Sequence, residues 1–381
     1  MARLGDICEV LNGYAFKSEK YTSSGVRIIR IANVQKGYIE DTAPAFYPID
    51  TTDIEKYTLY EDDLLISLTG NVGRVALLKK EFLPAALNQR VACLRLKDSA
   101  QYDKSFLYCF LNSDYFENKC IQSAKGVAQK NMSTEWLKEY QIPNLSLVEQ
   151  KEIAAVLNKI SELISARTMQ LSKMDKFVKS RFIEMFGDPV YNTLKLPTKP
   201  LSELGSLDRG RSKHRPRNDP RLLGGPYPLI QTGEVSNAGL YITGYQNTYS
   251  ELGLKQSKMW KAGTLCITIA ANIAQTAILT FDACFPDSVV GFIPTDEINI
   301  IYMHYWFSFF QKILDEQAPQ VAQKNINLKI LSELQVAIPS IEEQSDFAAF
   351  VEQTDKSKLA IQQSLEKLET LKKALMQQYF G

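Results

Sequence analysis

The sequence predicts an α+β protein built twice: two related mixed α/β globules, each followed by a long helix, the helices pairing as an antiparallel coiled coil about a pseudo-twofold axis. Three observations predict it. The pentapeptide VAQKN occurs around Lys130 and again around Lys324, 194 residues apart. That period lies far beyond the roughly 20–50 residues of solenoid repeats and has the scale of a domain. At the same offset "SLVEQKEIAAVL" (146–157) returns as "SIEEQSDFAAFV" (340–351), each opening on the Ser-x-x-Glu capping box of a helix start. Behind each box an apolar seam runs at 3-4 spacing: Ile153, Leu157, Ile160, Ile164, Leu171, Met174, Val178 and Met185, then Phe347, Val351, Ile361, Leu365, Leu368, Leu375 and Tyr379.

Taken in order, "ARLG" (2–5) is matched by "SELG" (202–205). "VRIIRIANV" (26–34) and "YPLIQTGEV" (227–235) alternate apolar with polar residues and read as strands. "LLISLTGNVGRVALL" (64–78) lies over "LCITIAANIAQTAIL" (265–279) as strands joined by Gly and Asn turns. "SFLYCFLNSDYFEN" (105–118) and "INIIYMHYWFSFFQKIL" (298–314) each read as a helix with an aromatic face. The long helices then follow, about 35 residues or roughly 50 Å each, the first stopped by "GDP" at 187–189. Arg167, Arg181, Lys358 and Lys372 fall on the seam, where long stems snorkel outward. The boundaries are 1–145 and 189–339 for the globules, 146–188 and 340–381 for the helices. A linker of about 12 residues (189–200) spans at most about 40 Å, too short to bring the chain back along a parallel pair. Antiparallel pairing places one globule at each end of a rod.

Composition narrows the function classes. With a net charge of +1, 45% hydrophobic and 23% charged residues, the chain is ordinary for a soluble globular protein, and any nucleic-acid surface must be local. No leader-like or membrane-length apolar run is present, so the expectation is a cytoplasmic protein with no membrane partner. The six cysteines are scattered without CxxC and read as reduced core residues. His214 and His304, the two histidines, lie in different halves, leaving no metal set, no cofactor and no catalytic residues to name.

A rod with two unequal heads suits two different half-sites a fixed distance apart, since DNA faces recur about every 34–36 Å. The second head opens with "DRGRSKHRPRND", concentrating Arg209, Arg211, Lys213, His214, Arg215 and Arg217 in a Gly- and Pro-containing loop that can approach phosphates and guanine edges. Gln231 and Thr232 in "PLIQTGEV" are types that pair with base edges; an isolated Gln at a strand end also serves structure. In the first head the basic residues are spread over Arg27, Arg30, Lys36, Arg74 and Arg90, with Asn71 and Arg74 in the turn "TGNVGR". Lys130 and Lys324 of the VAQKN segments fit phosphate contact or a structural loop equally.

The doubled pattern "QKNMSTEWLKEYQIPNLSLVEQKEIAAVLNKI" and "QKNINLKILSELQVAIPSIEEQSDFAAFV", with its heptad helices and "FGDP" end, resembles the specificity subunit of type I restriction-modification systems over essentially the whole chain. "RGRSKHRPRNDP" with "GGPYPLIQTGEVSNA" is similar to a target-recognition domain of that family. One departure is Pro339, displaced from its counterpart Pro143, which is expected to bend the second helix entry slightly. The resemblance implies a non-catalytic subunit whose two target-recognition domains read the two parts of an asymmetric, interrupted site in double-stranded DNA. Its helices would set the spacing and dock modification (adenine methyltransferase) subunits, two of them, and restriction/translocase subunits. The residues agree on the negative side: there is no Asn/Asp-Pro-Pro-Tyr/Phe motif, no Gly-x4-Gly-Lys-Ser/Thr loop, and "PDSVVGFIPTDEIN" lacks the acid-x-Lys of a nuclease core. The alternatives are a free-standing sequence-specific DNA-binding protein and a coiled-coil scaffold with protein-binding heads; salt-dependent DNA affinity of the chain alone separates them.

Overall fold

A computed structural model describes residues 1–49, 54–98, 101–124, 131–214, 216, 219–270, 273–310, 312–313 and 326–381. The chain divides into two compact units, Met1–Thr168 with Gln363–Gly381 (unit 1) and Met169–Gln362 (unit 2). Each is built on the same frame.

In unit 1, Cys8–Asn12, Val91–Leu96, Leu64–Ser67 and Val75–Leu77 form an antiparallel sheet in that order. A second sheet runs Phe46–Tyr47, Val26–Ile29, Ala85–Leu87, Thr58–Leu59, parallel between its two middle strands. Unit 2 repeats both. Gly205–Arg209, Val289–Pro294, Leu265–Thr268 and Thr276–Leu279 match the first sheet, with Tyr241–Ile242 added as a fifth strand. Asn247–Tyr249, Leu223–Leu229, Ala283–Cys284 and Met259–Trp260 match the second, again parallel in the middle. A short antiparallel pair ties each head's start to its end: Ala2–Arg3 with Gln141–Ile142, and Thr198–Pro200 with Gln335–Ala337.

The central hairpins show why the frame survives sequence change. Ser67 Oγ accepts from the Arg74 backbone N–H at 3.0 Å, and Thr268 Oγ1 accepts from that of Gln275 at 3.0 Å, so a hydroxyl braces each turn from inside. Gly73 sits at φ +85°, and an added Cβ would lie 2.7 Å from the Cys120 Cβ. Its counterpart Ala274 takes a similar left-handed φ of +57°.

Two strand expectations end earlier than the alternation suggests. After Ile29 the chain turns into a 3-10 helix, Ile31–Asn33, and after Leu229 into a helix, Thr232–Asn237. In both, the side chain three residues on returns to the turn's first N–H: Asn33 Oδ1 to Arg30 N at 2.9 Å, Glu234 Oε2 to Gln231 N at 3.1 Å. Local side-chain bonds thus replace the ladder. The aromatic helix of unit 1 is two helices, Lys104–Leu111 and Asp114–Ser123, because Ser113 Oγ accepts from Phe116 N at 3.1 Å and starts a second one.

The long helices span Leu147–Phe186 and Ile341–Phe380, forty residues each. They outrun the 35-residue expectation because Phe186 and Phe380 carry burial to the last position. Both capping boxes form: Ser146 N and Ser340 N donate to Glu149 Oε2 and Glu343 Oε2 at 2.9 and 3.0 Å. The glutamine that follows each box is fully buried. Gln150 accepts from Asp103 N (2.9 Å) and donates to Gln101 O and Leu145 O; Gln344 accepts from Asn299 N (2.7 Å) and donates to Glu297 O and Pro339 O. Asp103 and Asn299 are themselves N-caps of the following helices, so one amide rivets each long helix to its head. The displaced Pro339 leaves these entry bonds unchanged. Gly187, at φ +72°, ends the first helix.

Within unit 2 the two helices run antiparallel: Phe182 meets Phe347 and Phe177 meets Phe350, ring centroids 5.4 Å apart in each pair, while Asp175 pairs with Lys358 at 2.8 Å. Within unit 1, Ala154 and Leu157 share the core with Phe380, whose ring stands edge-on to Phe106 and Phe110. Phe182 and Phe186, absent from the expected seam, pack both on Phe347 of the second helix and on Tyr302 of the head. Among the described residues, no helix is long and apolar enough to cross a membrane.

Candidate nucleic-acid interface

In unit 2 the strand Gly205–Arg209 delivers the chain to the basic loop. Arg209 Nε and Nη2 donate to the Asp287 carbonyl at 3.0 and 2.7 Å, holding its guanidinium along the loop base. Gly210 donates to Val289 O and Arg211 N to Phe285 O, strapping the loop down by its backbone. Only glycine allows this approach, since a Cβ at 210 would lie 2.3 Å from the Phe285 and Pro286 carbonyl oxygens. The strap leaves Arg211 and Lys213 exposed with Ser212 buried between them. Farther on, His214 Nε2 lies 3.0 Å from Asp219 Oδ2, and Arg221 grips the same carboxylate at 2.7 Å. The hydrogen bonds from Arg221, then from His214, hold the Asp219 carboxyl well below the usual carboxylate range. Arg215 and Arg217 lie outside the described residues.

Ser212 lines a cavity of about 400 Å³ together with Gln231, Thr232, Asn247 and Ser288. The loop and the Gln231–Thr232 turn, some 20 residues apart in sequence, thus share one wall. Gln231 is exposed, and its Oε1 accepts from Asn247 Nδ2 at 3.4 Å. A larger cleft of about 730 Å³ adjoins on the other side of Gln231 and Thr232, bordered by Tyr241, Thr243, Tyr245 and Gln246. Asn247, Tyr245 and Ser288 carried no sequence signal, since they reach the site from segments well separated in sequence from the basic loop.

Unit 1 disposes its polar residues differently. Arg30 stands where Gln231 stands: each follows the parallel strand and is capped through the third residue on. Its Nη2 donates to Ala43 O, and its guanidinium lies 5.9 Å from the Tyr21 ring centroid. Arg27 pairs with Asp41 and stacks 4.9 Å from the Phe46 centroid. Arg74 donates to Gln35 Oε1, and the Asn71 amide, turned to suit its neighbours, accepts from both terminal nitrogens of Arg74 at 3.2 Å. Lys36 is held between Asp114 and Glu117 at 2.6 Å each. Lys130 and Lys324 lie outside the described residues; Asn131, next to the former, bridges to Thr69 at the hairpin turn.

All six cysteines are free and buried. Among the described residues no group of three or more His, Cys, Asp or Glu side chains could hold a metal ion.

A family model described as "Type I restriction modification DNA specificity domain" matches residues 1–173 and again 196–372. The chain is 25% identical to the type I restriction enzyme EcoBI specificity subunit of Escherichia coli over 392 residues, covering 92% of this chain and 78% of that one. It is 38% identical to the EcoAI specificity subunit of the same organism over 168 residues, 42% of this chain and 28% of that one. The crystal structure of a type I restriction-modification S subunit from M. genitalium superposes with a TM-score of 0.61 over 100% of this chain and 95% of that one, at 16% identity, a likeness of fold. Matched twice along its length at the two copies of the repeat, the chain belongs to the type I restriction-modification DNA specificity family.

Proposed function

We propose that the chain reads a bipartite double-stranded DNA site, one half with each head. Residues 1–145 and 189–339 would act as target-recognition domains, and the helices (146–188 and 340–381) as the spacer between them. DNA-sequence recognition within a type I restriction-modification complex is the role of its family. The finer assignments are the proposal: two modification subunits and the restriction subunits docked on the helices, in the cytoplasm.

One observation supports the second head most. Exposed Arg211 and Lys213, types that neutralise phosphates, flank a buried serine whose cavity also holds Gln231 and Thr232, types that pair with base edges. Phosphate contacts would set register while the amide and hydroxyl read sequence. In the first head, Arg30 occupies the turn matching Gln231, with Arg27 behind it and Asn71 and Arg74 on the central hairpin. Changing Arg211, Lys213 and Arg215 together to Ala should weaken DNA binding by the assembled complex and reduce the slope of log affinity against log salt by about 1 per lost phosphate contact. An unchanged slope would remove the loop from the interface.

A further inference from the structure

The strap that ties down the basic loop of unit 2 is built a second time in unit 1, where no basic run marks it. Tyr14 N donates to Leu87 O at 2.9 Å as Arg211 N donates to Phe285 O at 3.1 Å. A Cβ on Gly13 would lie 2.5 and 2.2 Å from the Leu87 and Asn88 carbonyl oxygens, as one on Gly210 would lie 2.3 Å from those of Phe285 and Pro286. The strand beyond matches too: Leu68 N donates to Arg90 O and Ile269 N to Ser288 O, both at 3.0 Å. Tyr14 therefore stands where Arg211 stands, and Arg90 where Ser288 lines the cavity of the second head. The arginine has changed sides of the strap. Arg90 is exposed, and among the described residues its guanidinium meets no hydrogen-bond acceptor or carboxylate. That sets it apart from Arg27, Arg30 and Arg74, which are held by Asp41, the Ala43 carbonyl and Gln35. Tyr14 is exposed as well, its ring propped 5.1 Å from that of Phe16 and 5.2 Å from that of Tyr57. Neither segment of the strap, 11–16 or 85–92, contains an acidic residue to offset the charge.

We propose that Arg90 and Tyr14 form the phosphate contact of the first head: the guanidinium neutralises a DNA phosphate and the phenol hydroxyl donates to a phosphate oxygen beside it. This rests on the reading that unit 1 binds one half of a DNA site, and it names the positioning residues of that half. A guanidinium already bonded to protein must give up that bond to serve DNA, whereas Arg90 gives up only water, and release of counterions supplies the affinity. A tyrosine ring held by two aromatic neighbours loses little freedom on binding. Such contacts fix the register of the head on the duplex and leave base choice to other groups.

The assembled complex, with its modification subunits, is titrated at several salt concentrations with a duplex carrying its methylation-mapped site. Arg90→Gln should weaken binding about tenfold and lower the slope of log affinity against log salt by about 1, while Arg90→Lys should keep the slope. Tyr14→Phe, which keeps the propped ring, should weaken binding about threefold at an unchanged slope. A neutral methylphosphonate is then walked along the half-site that changes when residues 1–145 are exchanged for the head of a relative. It should find one phosphate whose replacement harms the native complex and not the Arg90→Gln complex. The proposal is overturned if Arg90→Gln binds with native affinity and slope while Arg211→Gln loses both, or if the sensitive phosphate lies in the other half-site. If neither substitution alters the slope, the reading of the heads as DNA binders falls with it.

Discussion

Unit 1 holds Arg27, Arg30 and Arg74 against its own surface, whereas unit 2 leaves Arg211 and Lys213 exposed on a loop tied down by backbone. The frames beneath them share both sheets, Tyr241–Ile242 being added in unit 2, down to the hydroxyl that braces each hairpin and the buried glutamine at each helix start. Duplication has therefore kept the backbone hydrogen bonding and released the side chains above it. Two heads that read different half-sites, as proposed, would need that division, with register coming from the frame and base choice from a few surface groups.

The largest difference between the frames is electrostatic. Buried Asp63 takes Arg95 in a bidentate pair at 2.9 and 2.6 Å, with the guanidinium 4.7 Å from the Tyr60 centroid, and this pair raises the Arg95 pKa. Unit 2 has Thr264 and Ile293 at the matching strand positions. Asp63→Ala leaves a partly exposed arginine and the Tyr60 N–H without their acceptor and should destabilise unit 1 by about 3 kcal/mol. Segment-resolved hydrogen exchange should show unit 1 opening more readily while unit 2 keeps its protection. Equal loss in both would mean that the units do not open separately.

Unit 2 carries the pH-sensitive element. His304 is half-buried with Nδ1 3.0 Å from the Thr276 hydroxyl, and its pKa is pushed down to about 4 by desolvation first, with Lys358 and Lys179 adding to it. The unfolded chain therefore binds the proton that the folded one refuses. Stability is full above about pH 6.5 and falls as pH drops toward 4, by roughly 3 kcal/mol in all. His304→Gln should flatten this part of the unit 2 profile and leave that of unit 1, where Tyr108 stands in its place, unaltered. A parallel shift of both profiles would assign the effect to carboxylates instead.

A smaller and matched effect is expected where the units agree. Gln150→Leu and Gln344→Leu each leave a partly buried N–H and two carbonyls without their amide partner, and each should lower the stability of its own unit by about 2 kcal/mol. Urea unfolding followed by exchange should give similar values for the two. A neutral result at one position would show that its long helix is held by packing alone.

What was legible in the sequence follows the same division. The repeat, the capping boxes and the apolar seams are local or periodic, so they could be read directly and the helices lie where they were expected. Arg27 pairs with Asp41 and Gln231 with Asn247, 14 and 16 residues away, and no periodicity reports such partners. The "YPLIQTGEV" segment alternates like a strand to its end, yet Glu234 folds back on Gln231 and makes a helix. Side chains that choose between ladder and cap are decided by geometry at single positions, which pattern does not carry.

The central claim is that the heads are independent readers on one frame. Replacing residues 1–145 with the corresponding head of a relative and mapping the methylated sites of the assembled complex tests it directly. One half of the recognised sequence should change while the other half stays as it was. If both halves change, or neither does, the heads are not separate readers.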